Sequence, residues 1–139
     1  TRRSSDLHHE AQAKAVIEGI KAFGTDLPVM LLPGAVAATY AEKAGLRVIN
    51  EVFADRAYDP DGTLVSRREN GAVLHDPEVV ARRVVRMAEE GTIEAIDGST
   101  IRTTADSVCV HGDSPGAVAM AERIAAELKA NDITIGSFL

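Results

Sequence analysis

Two short apolar runs, each turning ionic at its carboxyl end, limit what this chain can fold into. Leu46 to Phe53 passes into Ala54-Asp55-Arg56, and Ser107 to Val110 passes into His111-Gly112-Asp113. Runs of this kind read as buried strands, and α/β folds place their chemistry where such strands end. Side chains alternate along a strand, so Glu51 and Asp55 share one face, as do His111 and Asp113. If both strands belong to one sheet, a histidine and several carboxylates meet in one pocket.

The rest of the chain supplies helices between such strands. Leu7 to Phe23 reads as a helix with Val16, Ile17, Ile20 and Phe23 on one face and Gly24 as its stop. Val29 to Leu32 reads as a strand buried on both faces, ended by Pro33-Gly34, and Ala35 to Ala44 as a short helix closed by Gly45. Asp76 caps a strong helix with Pro77 at its first position, running through Val79, Val80, Val84, Val85 and Met87 to Gly91. Thr92–Ile96 and Ser99–Arg102 flank Asp97-Gly98 as a hairpin. Ser114-Pro115 opens a last helix, Gly116 to Ala130, and Asp132 to Ile135 is expected to form a terminal strand.

The connection from Ala54 to His75 is long for a compact fold. It holds a turn at Asp59-Pro60-Asp61-Gly62 and a small strand candidate at Thr63–Val65, and its length makes it a candidate lid or binding loop. The strand–helix alternation is that of βα units. Three or four such units cannot close an eight-stranded barrel, so the chain is either a compact three-layer fold or the carboxyl half of something larger.

Composition narrows the function classes. With 139 residues the chain fits one domain, residues 1–139, and 45% hydrophobic content suits an ordinary soluble protein. Fifteen basic against twenty-one acidic residues give a formal net charge of −6 and argue against a nucleic-acid surface. The basic residues are also scattered, apart from Arg67-Arg68 and Arg82-Arg83. The single cysteine, Cys109, excludes an intrachain disulfide and fits a reducing cytoplasm; it reads as a small buried hydrophobe. The apolar run from Pro28 to Ala41 is too short to span a membrane, and no secretory signal is legible.

His111-Gly112-Asp113 carries the sharpest chemical signal. An imidazole can act as base, acid or ligand near neutrality, Gly112 lets backbone approach a ligand, and Asp113 can orient the histidine or hold a cation. The plainer alternative is that Asp113 and Ser114 cap a helix. Glu51, Asp55 and Arg56 form a second cluster, in which a carboxylate activates water while Arg56 grips a carboxylate or phosphate; a strand-end salt bridge is the competing explanation. Arg67 and Arg68 either close over an anion or lie on an exposed loop face. His8 and His9 read as solvated and His75 as structural. No pair of histidines has zinc spacing, so no metal ligands are assigned, and no phosphate loop or dinucleotide fingerprint is present.

Glu51-Val52-Phe53-Ala54-Asp55-Arg56-Ala57-Tyr58, Asp61 to Arg67, Gly71-Ala72-Val73 and Ser107 to Val118 together resemble the LamB/YcsF family, in order, over most of the chain from about Ala11. The resemblance implies a (β/α) barrel of the glycoside hydrolase/deacetylase type, of which this chain is the carboxyl-terminal half. It implies hydrolysis of 5-oxo-L-proline to L-glutamate driven by ATP, with Mg2+, alongside 5-oxoprolinase subunits B and C, in the cytoplasm. His111, Asp113, Glu51 and Asp55 are then the catalytic candidates, and Arg56, Gly112 and Arg67 the substrate-binding ones. A homo-oligomer is left open.

Three family blocks, Asp-Leu-Asn, His-Ala-Gly-Asp and Lys-Pro-His-Gly, are absent and are expected upstream of Thr1, so this segment alone is expected to be inactive. Ser66 stands where the family commonly has proline. Two other classes are a metal-dependent deacetylase or amidohydrolase, separable by metal analysis, and a non-catalytic subunit that hands substrate to its partners.

Overall fold

The computed structural model describes residues 9–24, 26–113 and 115–137, which form two compact units, one up to Glu51 and one from Val52 onward. In the first unit, α1 (Glu10–Phe23), β1 (Val29–Leu31), α2 (Val36–Lys43) and the start of β2 (Val48–Phe53) make a βαβ arrangement preceded by a helix. β1 and β2 run parallel with Val29 opposite Val48 and Leu31 opposite Asn50, a pairing that requires the crossover through α2.

The core of this unit is Ala13, Ile17, Leu31, Ala37 and Ala41. Ala37 and Ala41 stand four apart on one stripe of α2, and their small side chains let the helix approach its neighbours closely. On α1 the buried stripe is Ala13 and Ile17 with Ile20 beside it. Val16 and Phe23, expected on that face, are 46% and 84% exposed, because they fall off the 13–17–20 line. Met30 is also exposed, so β1 is not buried on both faces as its unbroken apolar run suggests. Leu7 and His8 lie outside the described residues.

The second unit holds the end of β2, the segment to His75, α3 (Pro77–Glu90), β3 (Thr92–Glu94), β4 (Thr100–Arg102), β5 (Ser107–Cys109) and α4 (Ala117–Ala130). The strand order is β1-β2-β5, with β3 and β4 as a separate antiparallel pair. Asp76 starts α3 as expected: its Oδ1 accepts from the Glu78 and Val79 amides at 2.9 and 3.3 Å, with Pro77 in the first turn.

Val80, Val84 and Met87 follow helical spacing on α3; Met120, Ile124 and Leu128 do so on α4. The two helices pack together, and most of these residues form one core with Ala54 and Ala81. Each such side chain contributes roughly 1.5–3 kcal/mol of burial, so this helix pair is the main anchor of the unit. Val79 lies off the stripe and is exposed.

The hairpin forms with Ile93 opposite Ile101, and Asp97 closes its turn by accepting from the Ser99 amide at 2.9 Å. Three further expectations fail in this unit. Residues 132–135 are coil rather than a strand; Thr63–Val65 makes only an isolated bridge, Leu64 to Tyr58; and Cys109 is half-buried rather than buried. The segment 54–75 is not a lid throughout. Its first residues, Ala54 to Tyr58, are buried, and Ala57, Val65 and Ala72 make a small core of their own. Only residues 66–71 form an outer tip, exposed along its whole length.

Candidate functional site

The polar centre of the second unit forms where β2 and β5 end. The Ala54 amide donates to the Cys109 carbonyl at 3.0 Å, which fixes the two strand ends side by side. Alternation then decides what faces what. Ala54 turns into the helix core, while Phe53 and Asp55, two residues apart, both reach His111.

His111 Nδ1 lies 2.7 and 2.9 Å from the two carboxylate oxygens of Asp55. The rings of Phe53 and His111 stack, with centroids 5.5 Å apart and planes 19° from parallel. The Asp55 side chain is 6% exposed and that of His111 22%, so a buried carboxylate holds a ring that still reaches solvent. An ionised carboxylate only accepts, so in this pairing Nδ1 carries the proton and Nε2 of a neutral ring is a lone pair. Among the described residues the structure shows no partner for Nε2. A histidine so oriented can take a proton, hold it next to a negative charge and release it.

Two residues that pattern reasoning does not single out hold this arrangement. Tyr58 is buried, and its hydroxyl accepts from the Phe53 amide at 2.8 Å. Burial pushes its pKa up to about 12. Arg83, on α3, donates from Nη1 to the carbonyls of Ala54 at 3.1 Å and Arg56 at 2.6 Å, and its guanidinium lies 5.4 Å from the centre of the Tyr58 ring. Burial lowers the pKa of Arg83, against the pull of Tyr58, Glu94 and Asp55. Neither residue leaves a periodic signal; in the sequence Arg83 is visible only as half of a basic pair.

The remaining candidates separate. Arg56 is buried with its guanidinium turned inward, Nε donating to the Ala72 carbonyl at 3.2 Å and Nη2 to Val65 at 2.6 Å. Burial and the nearby Arg67 charge both lower its pKa. Arg67 itself is on the exposed tip. Gly112 and Asp113 follow His111 and are exposed, and a side chain at Gly112 would meet nothing within 4 Å. Glu51 is half-buried and belongs to the first unit. α4 begins after Gly116 with no side-chain cap, and Ser114 lies outside the described residues. Among the described residues no three His, Cys, Asp or Glu side chains gather as a metal site would require, and no helix is long and apolar enough to cross a membrane.

Fold and site together define an α/β chain with a carboxylate-oriented histidine at neighbouring strand ends. The model of the LamB/YcsF family matches residues 5–139, and the chain belongs to that family. It is 95% identical over 133 residues to the 5-oxoprolinase A subunit of Corynebacterium jeikeium (strain K411), covering 96% of this chain and 52% of that protein. To the 5-oxoprolinase A subunit of Kocuria rhizophila it is 60% identical over 132 residues, covering 95% and 52%. Its fold is similar to the crystal structure of a lactam utilization protein from Thermus thermophilus, with a TM-score of 0.86 and 38% identity over 96% of this chain and 53% of that one. The chain thus spans about half the length of the relatives it matches.

Proposed function

We propose that this chain supplies the acid–base pair with which the A subunit of a 5-oxoprolinase opens the lactam ring of 5-oxo-L-proline to give L-glutamate. The reaction is ATP-dependent, takes place in the cytoplasm and involves partner subunits B and C. The observation that carries the reading is the contact of His111 Nδ1 with both Asp55 oxygens at a solvent-reaching strand end. The names of the relatives supply the substrate.

In this reading Nε2 of His111 takes a proton from water as the water oxygen bonds to the lactam carbonyl carbon. The imidazolium, held against Asp55, then gives that proton to the ring nitrogen as the C–N bond breaks, leaving a carboxyl group and an amine. Phe53 keeps the imidazole plane fixed. Asp113, exposed two residues beyond His111, is a second carboxylate within the same loop, and Glu51 is retained as a candidate from the first unit.

Arg56 has Nε and Nη2 engaged by backbone carbonyls, and among the described residues no acidic cluster able to hold a metal is assembled. No step here runs through ATP or Mg2+. The βα elements are read as half of a (β/α) barrel, completed by the length that the relatives have in addition.

The test places His111→Gln and Asp55→Ala in a protein of the relatives' full length, together with its partners, and measures ATP-dependent glutamate formation. Loss of roughly 10²- to 10⁴-fold in kcat with native-like melting is expected. Full activity in either variant removes the pair from the mechanism, and full activity of Asp113→Asn removes that carboxylate.

A further inference from the structure

We propose that Arg83 is a positioning residue for the site: by spanning the carbonyls of Ala54 and Arg56, on either side of Asp55, it aims the Asp55 carboxylate at His111. The inference deepens the acid–base reading of that pair and rests on it.

Three hydrogen bonds hold the backbone around Asp55. The Phe53 amide is taken by the Tyr58 hydroxyl, the Ala54 amide by the Cys109 carbonyl and the Asp55 carbonyl by the Leu74 amide. The carbonyls of Ala54 and Arg56 remain, and one nitrogen of Arg83 takes both, at 3.1 and 2.6 Å. Both residues are buried, so without that donor two carbonyls would lose their partner in a largely desolvated place, and the turn would reshape to satisfy them.

Asp55 lies between those two carbonyls, so any such reshaping moves its carboxylate. The second end of the guanidinium reaches the Glu94 carbonyl at 3.5 Å, and its central carbon lies over the ring of Tyr58, which itself holds Phe53. The ring stacked on His111 and the carboxylate bonded to it are thus fixed through one side chain. Its stem rises from α3 beside Val80 and Val84, both fully buried, so the brace stands on the helix core of the unit. A methionine keeps the aliphatic stem but offers no donor to either carbonyl.

The experiment reads the His111 ring directly. This chain is labelled with ¹⁵N-histidine, the His111 signals are assigned with His111→Gln, and the ring nitrogen shifts report which nitrogen carries the proton. The native chain is expected to show the Nδ1–H form held against Asp55. Arg83→Met is expected to move these signals toward those of Asp55→Ala, while Val84→Ala, which loosens the same helix without touching either carbonyl, leaves them in place. An unchanged ring in Arg83→Met, or an equal change in Val84→Ala, overturns the proposal. Should Arg83→Met not fold, Arg83→Gln, whose donor sits too close to the helix to span both carbonyls, carries the same two outcomes.

A second arm separates this inference from the functional reading. In the full-length assembly, Arg83→Met is expected to lower kcat by about 10- to 100-fold at unchanged KM, as a small misplacement of a catalytic group does. In an Asp55→Ala background the same substitution should add almost nothing, because two groups acting through one contact are not additive. A ring that responds to Arg83→Met in an assembly that opens no lactam upholds the positioning and removes the function. Additive losses in the two backgrounds overturn the positioning and leave the function standing.

Discussion

Arg56 lies buried with Nη2 donating to the Val65 carbonyl at 2.6 Å, so the residue whose charge best suited an anionic substrate instead ties a loop to its own root. Nε reaches the Ala72 carbonyl as well, and one side chain thereby closes the segment between residues 56 and 72. Removing it leaves the Val65 carbonyl to find another donor, at a cost of roughly 1–3 kcal/mol before relaxation, while the Ala72 carbonyl keeps the Ala57 amide. Arg56→Gln is expected to lower the urea midpoint of this chain markedly without a change in m, and to affect catalysis only as the fold weakens. A large rise in KM with an unaltered midpoint would return Arg56 to the substrate.

Tyr58 makes stability depend on alkaline pH. Its pKa rises from an ordinary value near 10 to about 12 through burial, so the folded state keeps the phenol proton more tightly than the unfolded chain. The resulting stabilisation is fully present below pH ~10 and is lost as pH climbs toward 12, about 2–3 kcal/mol in all. Ultraviolet titration of phenolate formation, compared between the native chain and Tyr58→Phe, should assign the late step to Tyr58. A phenol that ionises near pH 10 in the folded chain would contradict this.

Two glycines differ in what they do. Gly91 ends α3 with φ +62, and an added side-chain carbon would stand 3.0 Å from the Thr103 carbonyl oxygen, so both backbone and space disfavour alanine. Gly112 has neither constraint within the chain. Gly91→Ala is therefore expected to destabilise by about 1–3 kcal/mol. Gly112→Ala should leave the melting temperature unchanged, and any loss of activity it causes would then reflect a ligand approaching the backbone there. A melting temperature that falls as far for Gly112→Ala as for Gly91→Ala would defeat the distinction.

The parts of this fold that sequence exposes are those governed by local or periodic rules. Asp76-Pro77-Glu78 names its own helix start, Asp97-Gly98 its hairpin turn, and the alternation along β2 and β5 puts one of the expected carboxylates, Asp55, beside His111. What escapes depends on side chains meeting backbone far away in sequence. Arg83 bonds to carbonyls 29 and 27 residues earlier, and Arg56 to one 16 residues later. Such a contact has no spacing to recognise, so a buried arginine and an exposed one look alike until the chain is folded. The same holds for the aromatic partner of the histidine. Phe53 reads as one more strand hydrophobe, although it is half-buried and stacked on the imidazole.

That stacking has a measurable consequence. The carboxylate fixes one edge of the His111 ring, but rotation about the Nδ1–Asp55 axis is limited by the face of Phe53, 5.5 Å away and 19° from parallel. Aromatic pairs of this kind contribute about 0.5–1.5 kcal/mol beyond their area, which corresponds to about a 2- to 10-fold change in rate if the whole term serves to orient Nε2. Phe53→Leu in the full-length assembly should therefore reduce kcat within that range while leaving the Nδ1–H form of His111 in place, since Asp55 still holds it. Phe53→Tyr, which keeps the ring, should restore most of the rate. A loss beyond roughly 100-fold for Phe53→Leu would mean that the ring touches the substrate itself rather than only its base.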